Sequence, residues 1–222
     1  LYPLSYGLYL EKWFHQNNFS PLWFSIPSIL LLFASIYIII SSPRSLAPMF
    51  SMGFSTSAMQ IVLLFLLQSF LGILHHSIAI VSVIYMAGLA TGSIIKIHKK
   101  SILSENKFTH FAFFVLAGCV FASSYWFNQF VVSPFLIYFI LCSFCFGFAF
   151  LAGRQYQFSV NYFKNNISKA TSKTYSVDLF GAAIGGFVVP VFVVPATGIP
   201  FCIACIAALN LFVALLLKKN KK

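Results

Sequence analysis

The sequence predicts an all-α, polytopic membrane helix bundle with about seven transmembrane helices. Of the 222 residues, 60% are hydrophobic, and the mean hydropathy is +0.92. Charged residues make up 8%, against roughly 25% in soluble domains. A soluble domain needs a polar surface that this composition does not supply. Apolar stretches such as residues 61–74 lack the alternation of a transmembrane β-strand, so they predict helices.

Seven apolar runs predict the spans. They cover residues 22–41, 48–73, 77–96, 108–128, 133–153, 175–195 and 199–217. We therefore place the bundle at 22–217 and a basic tail at 218–222. Residues 1–21 are rich in tyrosine and include Trp13, which is typical of a segment in the membrane interface, although a linker from an upstream domain fits equally well. The chain starts at Leu1 without the charge pattern of a signal peptide, so we expect an upstream segment.

The basic residues fall almost entirely on one side of the predicted bundle. Counted across seven spans, Lys12 alone lies opposite the rest of the 14 Lys and Arg residues. Because cytoplasmic loops carry the excess of Lys and Arg, we expect a cytoplasmic C-terminus and an external Leu1, in a bacterial inner membrane. The net charge of +11 comes largely from these loops, which attract anionic lipid headgroups. We expect lipid and protein partners and no nucleic acid.

Asp178 is the acidic residue that most suggests function. It is one of three acidic residues in the chain, and it falls in the opening turns of the predicted sixth span. Thr174 or Ser176 would cap that helix, and the helix dipole would favour a carboxylate there. We expect Asp178 to fix the helix start and to pair with Arg154 at the end of the fifth span. Proton or cation handling is the alternative for an acid within a membrane.

Small residues recur at several predicted helix ends. Gly181 and Gly185 are four residues apart just after Asp178, and Gly88 and Gly92 repeat that spacing in the third span. The fifth span ends with a further group of small residues: Gly147, Ala149 and Gly153. Such spacing lets helices approach closely, so we expect close packing at these positions. A gap for a substrate is the alternative.

Three prolines lie around the boundary between the sixth and seventh spans. They are Pro190, Pro195 and Pro200. Proline removes a backbone hydrogen bond and bends a helix. Because these prolines gather near the end of a span, we expect a shaped turn, with a broken transporter helix as the alternative.

No cofactor, metal or catalytic group is predicted within the chain. Two Cys-x-x-Cys pairs start at Cys142 and Cys202, but on the predicted topology their depths differ by roughly 9 Å. We interpret these cysteines as small buried hydrophobic residues. His98 and His110 flank one predicted loop, where interfacial hydrogen bonding is favoured over haem ligation. Glycine-rich phosphate loops and paired catalytic carboxylates are missing from the sequence.

Five segments carry a family resemblance. In order, they are "GFSTSAMQIVLLFLLQSFLG" (53–72), "YMAGLATGS" (85–93), "YSVDLFGAAIGG" (175–186), "VVPATGIP" (193–200) and "ALNLFVALLL" (208–217). They resemble the C-terminal membrane half of spermidine-synthase-like integral membrane proteins, the fused transporter/spermidine synthase family. The likeness covers about residues 45–217, and its most specific block begins at Tyr175.

The resemblance implies a set of motif positions and an upstream domain. The motif positions are Asp178, Gly181, Gly185, Gly53, Gln68, Gly88 and Gly92. The family usually has an acid in the second span, where this chain has Gln60, so proton handling at that position is not expected. The family also implies a synthase-like domain before the membrane half. With Leu1 outside, that domain would be extracytoplasmic and remote from a cytoplasmic aminopropyl donor.

The sequence leaves three functions open. The favoured one is a noncatalytic membrane module that anchors a synthase-like extracytoplasmic domain or docks a partner in a larger complex. A small-molecule transporter is the second, supported by Asp178 and the proline-rich sixth span and weakened by the lack of a clear inverted repeat. The third is the membrane half of a polyamine aminopropyltransferase-like enzyme whose active site lies upstream.

Overall fold

A computed structural model describes Lys12 and residues 46–72, 75–94, 102–130, 133–162 and 167–217. Within these ranges the chain is helical and contains no strand. The helices are α1 (Leu46–Leu71), α2 (His75–Ile94), α3 (Ile102–Gln129), α4 (Pro134–Tyr162), α5 (Ile167–Val188), α6 (Val194–Thr197) and α7 (Ile199–Leu216). A π-helical turn, Val189–Val193, joins α5 to α6. The predicted first span and the segment before it, apart from Lys12, lie outside the described residues.

The described helices confirm the predicted fold class, a polytopic helical bundle. Five of them are long and apolar enough to cross a membrane, and a shorter apolar stretch occupies Ile78–Ile94 of α2. The five spans are Leu46–Leu71, Asn106–Phe127, Pro134–Asn161, Ala170–Val193 and Ile199–Leu216. In a bilayer, a continuous helix satisfies its own backbone hydrogen bonds, which is why these apolar runs form helices.

The proline cluster shapes the connection between α5 and α7. Pro190 lies in the π-helical turn, and Pro195 lies in the single turn of α6. The chain then turns at Gly198, whose φ of 84° favours glycine. Pro200 stands in the first turn of α7, where its missing N–H removes no helix hydrogen bond. The prolines therefore accompany a shaped turn near the end of a span.

The described helices form three layers, with α1 and α4 in the middle. The pair α3 and α7 packs on one side of this central pair, and the pair α2 and α5 packs on the other. α1 is the most enclosed helix, because 67% of its apolar window is buried inside the protein, against 28% for α5. Within the described ranges, α2 and α5 contact the central pair without comparable contact to each other. The line along which α1 and α4 meet, which we call the central seam, therefore faces the space between α2 and α5.

Glycines bring α5 against α1. A methyl group placed on the Cα of Gly181 would overlap the carbonyl oxygen of Phe50, and one on Gly185 would overlap the carbonyl oxygen of Phe54. The two contacts advance in the same direction along both helices, so α1 and α5 run parallel. A third contact continues the series, since a methyl group on Gly186 would lie 3.0 Å from the Ser57 hydroxyl oxygen.

Glycines join α2 to α4 in the same manner. A methyl group on Gly88 would lie 2.7 Å from the carbonyl oxygen of Phe146, and one on Gly92 would overlap that of Phe150. These contacts also advance together, so α2 and α4 run parallel. Further along, a methyl group on Gly153 would lie 3.1 Å from the backbone nitrogen of Ser93.

The two glycine-mediated helix pairs are equivalent, and the equivalence extends to the whole bundle. The packing pattern is preserved when α1, α2 and α3 are exchanged with α4, α5 and α7. Under this exchange, the α1·α5 contact becomes the α2·α4 contact. In the same way, α3·α4 becomes α1·α7, and α1·α2 becomes α4·α5. A slight contact between α1 and α3 has no comparable counterpart between α4 and α7 in the described residues.

The exchanged helices run in opposite directions. Thr109 of α3 contacts Gln155 of α4, and Leu116 of α3 lies against Gly147 of α4, so these two helices are antiparallel. With α1 parallel to α5, α2 parallel to α4 and short connections between successive spans, directions alternate along the chain. The six long helices among the described residues therefore form a three-plus-three repeat of inverted topology, which is not evident in the sequence.

Candidate functional site

The candidate site lies where the central seam faces the space between α2 and α5. Four side chains from four helices define this region: Thr56 of α1 beside Tyr85 of α2, and Asp178 of α5, whose charge acts on Tyr85 and on Tyr156 of α4. We call this set the Asp178 site. Every helix that contributes to it belongs to one of the two glycine-mediated pairs, α1·α5 and α2·α4, so close backbone packing fixes the positions of these side chains.

Asp178 rests on the backbone of α1. A methyl group on the Cα of Gly53 would lie 2.6 Å from Oδ1 of Asp178, and it would overlap the Asp178 carbonyl oxygen. Only a residue without a side chain allows α5 to come this close. The carboxylate is partly buried, within the span that covers Ala170–Val193. The structure thus connects Gly53 and Asp178, which the resemblance gave as separate motif positions.

The predicted helix start at Asp178 is wrong. α5 begins at Ile167, so Asp178 lies in the body of the helix rather than in its opening turns. Thr174 is buried within α5, and the Ser176 hydroxyl donates to the carbonyl oxygen of Ser172 at 2.8 Å, so neither residue caps the helix. The polar run before Asp178 continues the same helix, and the candidate span already begins at Ala170.

Arg154 does not occupy the predicted position either. α4 continues to Tyr162, so Arg154 lies within the helix rather than at its end. Its guanidinium carbon lies 5.8 Å from the centroid of the Phe158 ring, a geometry suited to a cation–π contact. Among the described residues, no ion pair joins Asp178 to Arg154 or to another cation. The predicted ion pair is therefore not formed.

Tyr85 and Tyr156 are the site residues that sequence reasoning missed. Both phenols lie near enough to Asp178 to interact with its charge. Tyr85 also lies beside the Thr56 hydroxyl, which donates to the carbonyl oxygens of Met52 at 2.8 Å and Gly53 at 3.2 Å. One signal was present in the sequence. Tyr85 precedes Gly88 and Gly92 by the same spacing with which Asp178 precedes Gly181 and Gly185.

The predicted small-residue faces are filled by neighbouring backbones. Gly53, Gly88, Gly92, Gly153, Gly181 and Gly185 each lie where a methyl group would collide with another helix. A methyl group on Gly147 would lie 3.3 Å from the Leu116 side chain, a tight contact to which that side chain would have to adjust. These positions are packing contacts that hold the helices together. Of the two glutamines, Gln60 is partly buried on α1 and Gln68 is exposed near its end.

A buried hydrogen-bond network joins α1, α3 and α7. Nδ1 of His110 lies 2.9 Å from Oδ1 of Asn210, and Nδ2 of Asn210 donates to the Ser55 hydroxyl at 2.8 Å. A second network joins α3 to α4, where the Thr109 hydroxyl donates to Oε1 of Gln155 at 2.6 Å. All five side chains are fully buried. These polar groups hold the helices in register and lie on the far side of the central pair from α2 and α5.

The cysteines and histidines form no metal site in the described part of the chain. Cys142, Cys145 and Cys202 are buried, and Cys205 is exposed. No group of three or more His, Cys, Asp or Glu residues that could hold a metal ion occurs within the described ranges. His110 bonds to Asn210, while His98 lies outside the described residues.

No family model, curated protein or solved structure matches the chain.

Proposed function

We propose that the bundle is a transport unit for a small molecule, the second of the functions that the sequence leaves open. The observation that carries the proposal is the three-plus-three repeat of inverted topology. Many secondary transporters are built from such repeats, with substrate sites near the midplane at the interface between the repeats. In such proteins, alternating access follows from movement of one part of the bundle against the rest, because the two halves pack equivalently in opposite orientations.

The Asp178 site lies where this architecture favours a substrate. Thr56 and Tyr85 belong to the first repeat, and Tyr156 and Asp178 belong to the second. The site therefore spans the interface between repeats. A carboxylate within a membrane is costly and commonly marks a substrate or ion pathway. By contrast, the buried side chains Thr109, His110 and Asn210 of α3 and α7 bond to each other or to the central pair.

A noncatalytic anchoring or docking module is the second candidate. The observation that favours it is the complete occupation of the predicted small-residue faces by neighbouring helices. Such a module would anchor a synthase-like extracytoplasmic domain, as the resemblance to fused transporter/spermidine synthases suggests, or hold a partner subunit. We also propose a bacterial inner-membrane location with a cytoplasmic C-terminus, which a reporter fused after Lys222 reads out.

Accessibility labelling tests the transport proposal without a known substrate. In a variant with its five cysteines replaced, Thr56→Cys is placed in the Asp178 site. A small, charged, membrane-impermeant thiol reagent is added to sealed vesicles of either orientation. We expect labelling from both sides, because an alternating-access site opens to each in turn. The matched control is Val115→Cys on α3, an outward-facing position expected to contact lipid and remain unlabelled.

The outcomes separate the two candidate functions. An anchoring module has no reason to open the seam, so Thr56→Cys would stay unlabelled or react from one side only. Either result would overturn the transport proposal and favour the module. Val115→Cys labelling equal to that of Thr56→Cys would show general leakage of the reagent, which also removes the support for transport.

A further inference from the structure

We propose that the Asp178 site binds a small primary alkylammonium ion that carries a single positive charge. This inference deepens the proposed transport function by naming a substrate class, although binding itself can be measured without transport. The juxtaposition that carries it is one carboxylate, two phenols and a hydroxyl, contributed by four helices at the interface between the inverted repeats.

Asp178 and Tyr85 lie against the same side of α1. Oδ1 of Asp178 is set against Gly53, and Tyr85 lies beside Thr56. Gly53 and Thr56 are one helical turn apart, so they share a face of α1. The Thr56 hydroxyl donates to the carbonyl of Gly53 itself, which fixes its hydrogen and leaves its oxygen lone pairs to accept. The hydrogen-bond acceptors of the site therefore lie along one face of α1.

The inverted repeat makes Asp178 and Tyr85 counterparts of each other. Each residue stands at the same spacing before the first glycine that contacts the central pair, Gly88 in α2 and Gly181 in α5. Tyr85 in the first repeat and Asp178 in the second therefore occupy equivalent positions. Residues related in this way and facing each other lie across the axis that relates the repeats. A ligand between them would contact both repeats at once, as a transported molecule must.

The charge of the site calls for a cation. The protein has a net charge of +11, yet no cationic side chain among the described residues forms an ion pair with Asp178. A carboxylate that is removed from water without a partner is unfavourable, and a bound cation offsets that cost. One carboxylate balances one positive charge, so the site suits a monovalent cation rather than a polycation.

The surrounding groups favour an alkylammonium ion over a metal. Within the described ranges, no cluster of metal-ligating side chains surrounds Asp178. A primary ammonium has three N–H donors, which the carboxylate, a phenol oxygen and the Thr56 hydroxyl oxygen can accept. The faces of the tyrosine rings attract the same charge. The apolar helices around the site can hold an alkyl chain.

Direct binding to the full chain in lipid nanodiscs tests the proposal, with labelled n-butylammonium as the probe. We expect saturable binding that butyrate does not displace and that tetramethylammonium, which has no N–H donor, displaces weakly. Asp178→Asn is expected to lower the affinity at least about tenfold, because a charge-assisted hydrogen bond is lost. Tyr85→Phe is expected to weaken binding, while Tyr125→Phe, an exposed phenol on α3 that bonds Gln129, should leave it unchanged.

The possible results are decisive and separate binding from transport. Absence of saturable butylammonium binding by the wild type, or equal binding by Asp178→Asn, overturns the inference. If Asp178→Asn fails to fold, Tyr85→Phe alone decides, since unchanged affinity there also overturns it. Butylammonium binding by the wild type, combined with no labelling of Thr56→Cys, would support the binding site and contradict the transport proposal. Two-sided labelling without butylammonium binding would retain transport and reject this substrate class.

Discussion

Asn210 is the side chain through which three helices meet. It contacts His110 of α3 and Ser55 of α1, and its Nδ2 also donates to the carbonyl oxygen of Ile206 in its own helix at 2.9 Å. All three side chains are fully buried, where water cannot replace a lost partner.

Replacing Asn210 should therefore destabilise the bundle. Asn210→Leu keeps the volume but leaves His110 and Ser55 without their interhelical bonds. We expect the free energy of unfolding to fall by about 1–2 kcal/mol, the range for buried polar contacts within membranes. Unfolding in mixed detergent micelles measures it. Ser143→Ala is the control, because that exposed hydroxyl bonds only within its own helix and its loss should change stability by less than about 0.5 kcal/mol.

At the scale of elements, the glycine contacts determine which helices pair. Gly185 lies against the backbone of Phe54, whereas Gly118 of α3 has no atom within 4 Å of an added methyl group. The same substitution should therefore have opposite effects. Gly185→Ala must push α5 away from α1 and is expected to cost about 1–3 kcal/mol. Gly118→Ala should be neutral or stabilising by up to about 1 kcal/mol, because alanine favours helix.

Thermal unfolding of the two alanine variants side by side measures this difference. Equal effects at the two positions would show that helix propensity rather than the interhelical contact governs the result. Such an outcome would remove the basis for the α1·α5 pair.

The sequence predicted the elements better than their ends or partners. Long apolar runs are sufficient to predict spans, because the bilayer requires helices of that length. The polar residues before Asp178 continue α5 beyond its apolar part, and hydrophobicity cannot reveal this. The spacing of Gly181 and Gly185 predicted a close approach, but the approaching helix, α1, is distant in sequence. Tyr85 became a site residue only when the contacts showed that its helix is the counterpart of α5.

At the scale of the whole molecule, the inverted repeat makes a prediction about pairs of positions. Ser57 and Gly186 form a contact between α1 and α5, and Gly153 and Ser93 form the equivalent contact between α4 and α2. Introduced into a variant without its native cysteines, both cysteine pairs should form disulfides readily on mild oxidation. A methyl group on Gly186 would lie 3.0 Å from the Ser57 hydroxyl oxygen and one on Gly153 3.1 Å from the Ser93 backbone nitrogen, so each pair of positions is in contact, as a disulfide requires.

A mismatched pair provides the control for that experiment. Ser93 and Gly186 lie on α2 and α5, which make no comparable contact with each other among the described residues, so cysteines at these two positions should not cross-link. A gel shift after proteolysis between the helices, reversed by reductant, measures each pair. Cross-linking of one matched pair alone would show that the two halves are packed differently. The inverted repeat would then no longer support the transport proposal. Efficient cross-linking of both matched pairs, with the Ser93–Gly186 pair unreactive, is expected because parallel α1·α5 and parallel α2·α4 are equivalent helix pairs in opposite orientations.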